Sequence, residues 1–185
     1  DAGEVARIHA ACATADAALA AVRHRLVEGP TEEEFSLELD TEIRRLGAEG
    51  NSFETIVASG PNAAKPHARP GPRRIQEGDL VVVDFGALVD GYCSDMTRTF
   101  AIGEISETQQ RMLDVVAESQ RAGVEAVAAG VEANAVDLAS RAVIEEAGWE
   151  EAFLHSTGHG VGREIHENTR VAKTSEDTLR SDYIV

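Results

Sequence analysis

Leu80-Val81-Val82-Val83-Asp84-Phe85-Gly86-Ala87 decides the fold, together with its continuation Gly91-Tyr92-Cys93-Ser94-Asp95-Met96-Thr97-Arg98. Four apolar residues in a row, three of them β-branched, specify a buried strand. That strand delivers the carboxylate of Asp84 near its end. Gly86 and the Asp90-Gly91 pair supply turn chemistry for a tight reversal. The returning strand brings a second carboxylate, Asp95, eleven positions after the first. Acids on neighbouring antiparallel strands can face each other, and like charges that close disfavour ionisation unless a cation lies between them. A turn aspartate beside a solvated one is the bland alternative, and these two positions do not separate the readings.

A histidine cluster downstream tips the balance: His155-Ser156-Thr157-Gly158-His159-Gly160-Val161-Gly162, then His166-Glu167. Three histidines within twelve residues are hard to explain as core packing. Neutral imidazole is a common ligand of divalent metals, and two carboxylates with one imidazole suit Mn, Co, Fe or Zn better than Ca. Glycines on both sides of His159 let the backbone turn sharply and a substrate approach closely.

Working outward, residues 1 to 27 are Ala-rich with Val5, Ile8, Ala11, Cys12, Ala15, Leu19, Val22 and Leu26 at helical spacing. Gly29-Pro30 ends that helix. Thr31-Glu32-Glu33-Glu34 is a capping box opening a second helix through Phe35, Leu37, Leu39, Ile43 and Leu46. Phe53 to Ser59 reads as a strand, and Gly60-Pro61-Asn62 as a turn. Residues 63–78 hold three prolines, two glycines and five basic residues, so they form a loop, and His67 lies in it. Ser106-Glu107-Thr108-Gln109 caps a long helix whose apolar face is Met112, Val115, Val116, Ser119, Ala122, Val124 and Val127. Asn134 caps a further helix that stops at Gly148. Val171-Ala172 begins a short extended piece, and Asp182-Tyr183-Ile184-Val185 reads as the opening of a strand. Helix, helix, strand and hairpin thus recur as helix, helix, strand and turn. Two structurally similar halves of α+β type are expected.

Composition bounds the function. With 185 residues and 43% apolar content there is room for a real core. The net charge of −16 argues against nucleic acid or an anionic membrane surface as partner. Cys12 and Cys93 suggest no disulfide framework, so a reducing, cytoplasmic location is expected. No apolar run is expected to reach the roughly 20 residues of a membrane helix, and no signal peptide is recognised.

Several motifs together carry a resemblance. Ala58-Ser59-Gly60 with Pro66-His67, Val83-Asp84-Phe85-Gly86, Ser94-Asp95-Met96-Thr97-Arg98-Thr99, the His155–Gly162 segment and Ile165-His166-Glu167 resemble the pita-bread metallopeptidases. Within them they are similar to the prolidase and aminopeptidase P (Xaa-Pro) branch. The resemblance implies a pita-bread fold, with two pseudo-symmetric helix-helix-sheet halves and a curved antiparallel sheet covered by helices. It implies hydrolysis of the peptide bond before proline by a hydroxide held between two divalent metals, Mn foremost, with Co or Zn as alternatives. Asp84 would bind one metal, Asp95 would bridge both, and His159 would bind the other. His67 and His166 would act on the substrate, and His155 would orient the site from behind the ligands. A proline-containing peptide is the implied substrate and a homodimer the implied assembly. A metal-free creatinase-like hydrolase and a non-catalytic pita-bread binding module are the rival readings; both aspartates at ligand spacing speak against them.

The chain also departs from the family pattern. The family's two glutamate ligands are not found here, Asn168-Thr169 stands where a proline is usual, and Arg163 replaces an apolar residue. Residues 1–185 are therefore expected to be one catalytic domain, truncated at the C-terminus and lacking the family's N-terminal domain.

Overall fold

The computed structural model describes all 185 residues, Asp1–Val185. They divide into two compact units, one of Asp1–Ser106 with Gly162–Ile165 and one of Glu107–Val161 with His166–Val185.

In the first unit, helix α1 (Ala2–Val22) runs into a 3-10 turn, Arg23–Glu28, and stops where Gly29 adopts φ 72°. Helix α2 (Glu32–Arg45) starts at the expected capping box: the Thr31 hydroxyl accepts from the Glu34 N–H, and the Glu34 carboxylate accepts from the Thr31 N–H. Strands β1 (Gly50–Asn51) and β2 (Ile56–Ser59) follow, then β3 (Leu80–Phe85), β4 (Ala87–Val89), β5 (Tyr92–Cys93) and β6 (Met96–Ala101).

The expected reversal at Asp90-Gly91 is present, with both residues at positive φ, as a tight hairpin turn of the I′ kind requires. The hairpin is not one ribbon, however. Its outer part, β4–β5, pairs with β1, while its inner part, β3–β6, pairs with β2. The change of sheet falls at Gly86 and Ser94-Asp95, so Asp95 precedes β6 rather than lying inside a strand. The strand expected over 53–59 is shorter, because Ser52-Phe53 bend away from the ladder and Ile56 begins it.

Along β3 the alternation is strict: Val81, Val83 and Phe85 are buried, and Val82 and Asp84 point to the other face. The buried set packs with Ala15, Leu19, Val22 and Leu26 from the first helix and turn, and with Phe35, Leu39 and Ile43 of α2. Leu37, expected on the apolar face of α2, is instead 69% exposed. By length and composition, Ala2–Glu28 could cross a membrane, contrary to the expectation that no stretch could. In this unit Ala11, Ala15, Ala18, Leu19 and Val22 of that segment are core residues.

In the second unit, α3 (Glu107–Ala126) and α4 (Ala133–Glu146) precede a 3-10 turn, Glu150–Ala152, and the antiparallel pair β7 (Gly158–Gly160) and β8 (Glu167–Val171). Three expectations are corrected here. Asn134 lies inside α4, and the residue at its N-cap is Glu132, without a side-chain capping bond. The extended piece ends at Val171 instead of starting there, because Glu167 to Val171 pair with β7. Residues 182–185 form no strand; the Val161 N–H donates to the Ile184 carbonyl at 3.3 Å, and the Tyr183 N–H donates to the Arg180 carbonyl at 3.1 Å.

The apolar face expected for α3 is also largely open. Val116, Val124 and Val127 are 53%, 61% and 44% exposed, and the buried positions of the helix are Ser119 and Gly123. Gly123 lets α4 come close, since a Cβ there would collide with the Ser140 hydroxyl. The valines line an apolar groove of about 350 Å³ with Val136, Phe153 and Val171.

The two units repeat one internal scheme, as expected from the element order. In the first, the Glu32 N–H donates to the Arg73 carbonyl (3.0 Å) and the Ile75 N–H to the Pro30 carbonyl (2.9 Å). In the second, the Ala133 N–H donates to Asp177 (2.8 Å) and the Leu179 N–H to Val131 (2.8 Å). Each ladder straddles the N-cap of the unit's second helix, at the bridges Thr31–Arg74 and Glu132–Thr178. Ile75 and Leu179 are both buried in their units.

Candidate active site

Asp84 and Thr97 are cross-strand partners in the β3–β6 register, and the Thr97 hydroxyl donates to Asp84 Oδ1 at 2.8 Å. Phe85 and Met96, the next pair, point into the core. Asp95 lies one residue before β6, outside the paired ladder, and is exposed. Of the two carboxylates expected to face each other, Asp84 is inside the ladder opposite Thr97 and Asp95 stands just before it.

The position of Asp95 is set by its neighbour. Ser94 is 1% exposed; its N–H donates to the Ala87 carbonyl, its hydroxyl accepts from the Ala87 N–H, and its carbonyl accepts from the Ser52 hydroxyl at 2.6 Å. Gly86 permits this crossing, because a Cβ there would overlap the Ser94 carbonyl oxygen and the Ser52 hydroxyl. Sequence reading quoted Ser94 within the Asp95 motif without a role of its own and passed over Ser52, which lies far from Gly86 and Asp95 in the chain.

His67 lies in the exposed loop after β2. That loop leaves the sheet at Gly60, whose φ of 50° and lack of a Cβ make room for an ion pair between Arg73 and Asp79. Asp79 is mostly buried. Burial alone would raise the pKa of its carboxyl, but the Arg73 guanidinium and the Gln76 N–H hold it below the ordinary value.

In the second unit, β7 carries His159 and the residue just before β8 is His166. Their rings meet edge-on with centroids 4.4 Å apart. The His159 Nδ1 lies 3.0 Å from the Gly160 carbonyl oxygen. A carbonyl only accepts, so Nδ1 carries the proton and Nε2 the lone pair that ligation requires. Gly160 is needed for the close pairing of the two strands, since a Cβ there would overlap the Asn168 carbonyl.

The segment leading to His159 is held by a buried pair that sequence reading missed. Asp137 of α4 is fully buried; its Oδ1 accepts from both the N–H and the hydroxyl of Thr157, at 3.0 and 2.8 Å. Arg141, one turn on, donates Nε to Asp137 Oδ2 at 2.5 Å, Nη1 to the Phe153 carbonyl at 2.9 Å and Nη2 to the His155 carbonyl. It also stacks over the Phe153 ring at 4.2 Å. His155 is thus tethered through its backbone while its side chain is exposed. A signal existed: Ala133, Asp137, Ser140 and Ile144 fall at helical spacing on one buried face.

Neither unit by itself gathers three or more His, Cys, Asp or Glu side chains into a metal-holding group. The donor types present nonetheless suit a divalent first-row metal: the carboxylates of Asp84 and Asp95 and the imidazole of His159.

The same elements recur in known proteins. The chain is 40% identical over 182 residues to the Xaa-Pro dipeptidase of Pyrococcus furiosus, covering 98% of this chain and 52% of that relative. The solved structure of the prolidase of that organism superposes with a TM-score of 0.95 at 40% identity, over 98% of this chain and 54% of that one. An X-Pro aminopeptidase from Thermotoga maritima gives a TM-score of 0.91 at 36% identity, over 97% and 51%. The chain spans about half the length of these relatives. Residues 6–185 match the sequence model of metallopeptidase family M24. With the repeated helix-helix-sheet scheme and the likeness to these pita-bread structures, that match over nearly the whole chain makes it a member of metallopeptidase family M24.

Proposed function

We propose that the protein hydrolyses the peptide bond preceding proline, as an Xaa-Pro dipeptidase or aminopeptidase, and that residues 1–185 belong to its catalytic domain. What supports this reading is the match to this family over residues 6–185, with Asp84 held on β3 by Thr97 and the exposed Asp95 just before β6. Asp84, Asp95 and His159 are the residues that would hold divalent metal, Mn foremost. When bound, the ions supply Lewis acidity and an activated water at neutral pH.

The chain's own residues do the rest. Thr97, by donating to Asp84 Oδ1, restricts how that carboxylate can turn. The Gly160 carbonyl fixes the His159 tautomer. His67 and His166 donate hydrogen bonds to the scissile carbonyl and to the oxyanion that develops from it. His155, tethered by Arg141, orients the segment behind His159. A prolyl amide has no N–H to offer, so the substrate is recognised by the shape of its ring. The reading carries with it a cytoplasmic location and a homodimer.

The test is metal content by mass spectrometry after dialysis against Mn, together with proline release from Ala-Pro. Two tightly held ions per chain with proline release support the reading; no retained metal and no proline release overturn it. His166→Ala should cut kcat with metal content unchanged, whereas loss of metal would make His166 a ligand.

A further inference from the structure

Glu32 is a carboxylate with no exposed surface at the first position of α2. Its Oε1 accepts from the Ser59 N–H (2.8 Å) and the Ser59 hydroxyl (2.7 Å), at the end of β2. Its Oε2 accepts from the Gly71 N–H at 3.2 Å, and Asn62 Nδ2 bridges both oxygens at 3.1 and 3.2 Å. One side chain therefore grips the residue before the loop, the start of the loop and its far end. His67 lies midway between Asn62 and Gly71. Two backbone bonds reinforce the closure, from the Glu33 N–H to the Gly71 carbonyl and from the Glu32 N–H to the Arg73 carbonyl. A buried carboxylate is costly unless its lone pairs are satisfied, and here the donors that satisfy it come mainly from the strand end and the loop.

The second unit contains the same device independently. Asp137, on its second helix, accepts both the N–H and the hydroxyl of Thr157 through one oxygen, as Glu32 does with Ser59. There too the gripped residue adjoins a histidine-bearing segment.

We propose that Glu32 is the residue that positions His67, by closing the 60–71 loop onto the end of β2. The inference rests on the peptidase reading for the role of His67, but the closure itself does not. Glu32→Gln separates the two sides of the grip. Its remaining oxygen can keep the Ser59 bonds, while its new NH2 meets the Gly71 N–H and the Asn62 amide, donor against donor. Asn62→Ala, at a partly exposed position, removes the bridge without touching the buried acid.

Amide hydrogen exchange by mass spectrometry on the full chain is the first readout. Loop residues 60–71 should exchange about tenfold faster in either variant, with β3 and α2 unchanged. Equal loop exchange in wild type and both variants overturns the proposal. Ala-Pro hydrolysis is the second readout, as a double-mutant cycle. Glu32→Gln should lower kcat about tenfold alone and have almost no effect in a His67→Ala background. A merely structural acid would give additive losses, and additivity overturns the positioning role. In a chain that hydrolyses no Ala-Pro the peptidase reading falls, and exchange alone then supports or overturns the closure by Glu32.

Discussion

A methyl group at Gly86 would have to occupy the place of the Ser94 carbonyl oxygen, which is backbone and cannot swing aside. Gly86→Ala should therefore force the chain apart at Gly86 and Ser94, disturb the adjoining Asp95, and lower the thermal midpoint more than an exposed substitution does; an unchanged midpoint would mean the crossing is looser than described. Asp95→Asn keeps the shape and removes the charge. It is expected to abolish Ala-Pro hydrolysis while the circular dichroism spectrum stays unchanged, and wild-type turnover would remove Asp95 from the proposed site. Asp79 contributes on a different axis, pH. Its carboxyl titrates lower in the folded chain than in the unfolded one, so the folded state binds the proton less tightly. The stability it adds is present above the unfolded value of about 4 and is lost as pH falls through the folded one. Urea midpoints measured from neutral pH downward should fall less steeply at acid pH in Asp79→Asn than in wild type. Equal slopes would mean the Arg73 pair adds nothing. These effects were not legible in the chain: Ser52, Ser94 and Asp79 have nothing in their immediate neighbours that announces a buried partner.

The start of α2 was more legible than the face of α3, although the start of α4 was misplaced. The Thr31 box is local, its two bonds spanning three residues, so sequence alone specifies it. Thr31→Ala should cost about 1 kcal/mol in chemical denaturation. The face of α3 is not local. Its valines are apolar at the right spacing, yet what lies against them is decided elsewhere in the fold, and in this chain they border an open groove. Acids posed the opposite difficulty. Glu32 sits in a helix rich in solvated acids and Asp137 in one that ends on two more, and sequence does not say which carboxylate will be taken inside. For Asp137 the consequence is large, because Arg141 would be left without its ionic partner. Asp137→Ala should cost about 3–5 kcal/mol and loosen the Phe153–Thr157 segment, measurable as faster amide exchange there. A loss within ordinary surface scatter would show that the pair is dispensable.

At the scale of the whole molecule, 33 acidic residues face 17 basic ones, and most of the ion pairs formed are exposed. Such pairs add little, so repulsion among the surplus acids dominates the field. Raising ionic strength from about 0.01 M to about 0.1 M shortens the screening length from about 30 Å to about 10 Å. The melting temperature should rise over that interval, and a fall would mean that favourable pairs outweigh the repulsion. The repeated scheme was legible at this scale because element order survives when residue identity does not. The ladders that realise it were not, being made of backbone groups alone. Those ladders also bear on how the chain folds. Thr31 meets Arg74, and Glu132 meets Thr178, across similar stretches of intervening chain. Closing a loop carries an entropy that grows only with the logarithm of its length, and distant pairing sets the pace of folding. For these two closures, then, neither half holds a head start over the other, and a difference between them would have to come from side chains.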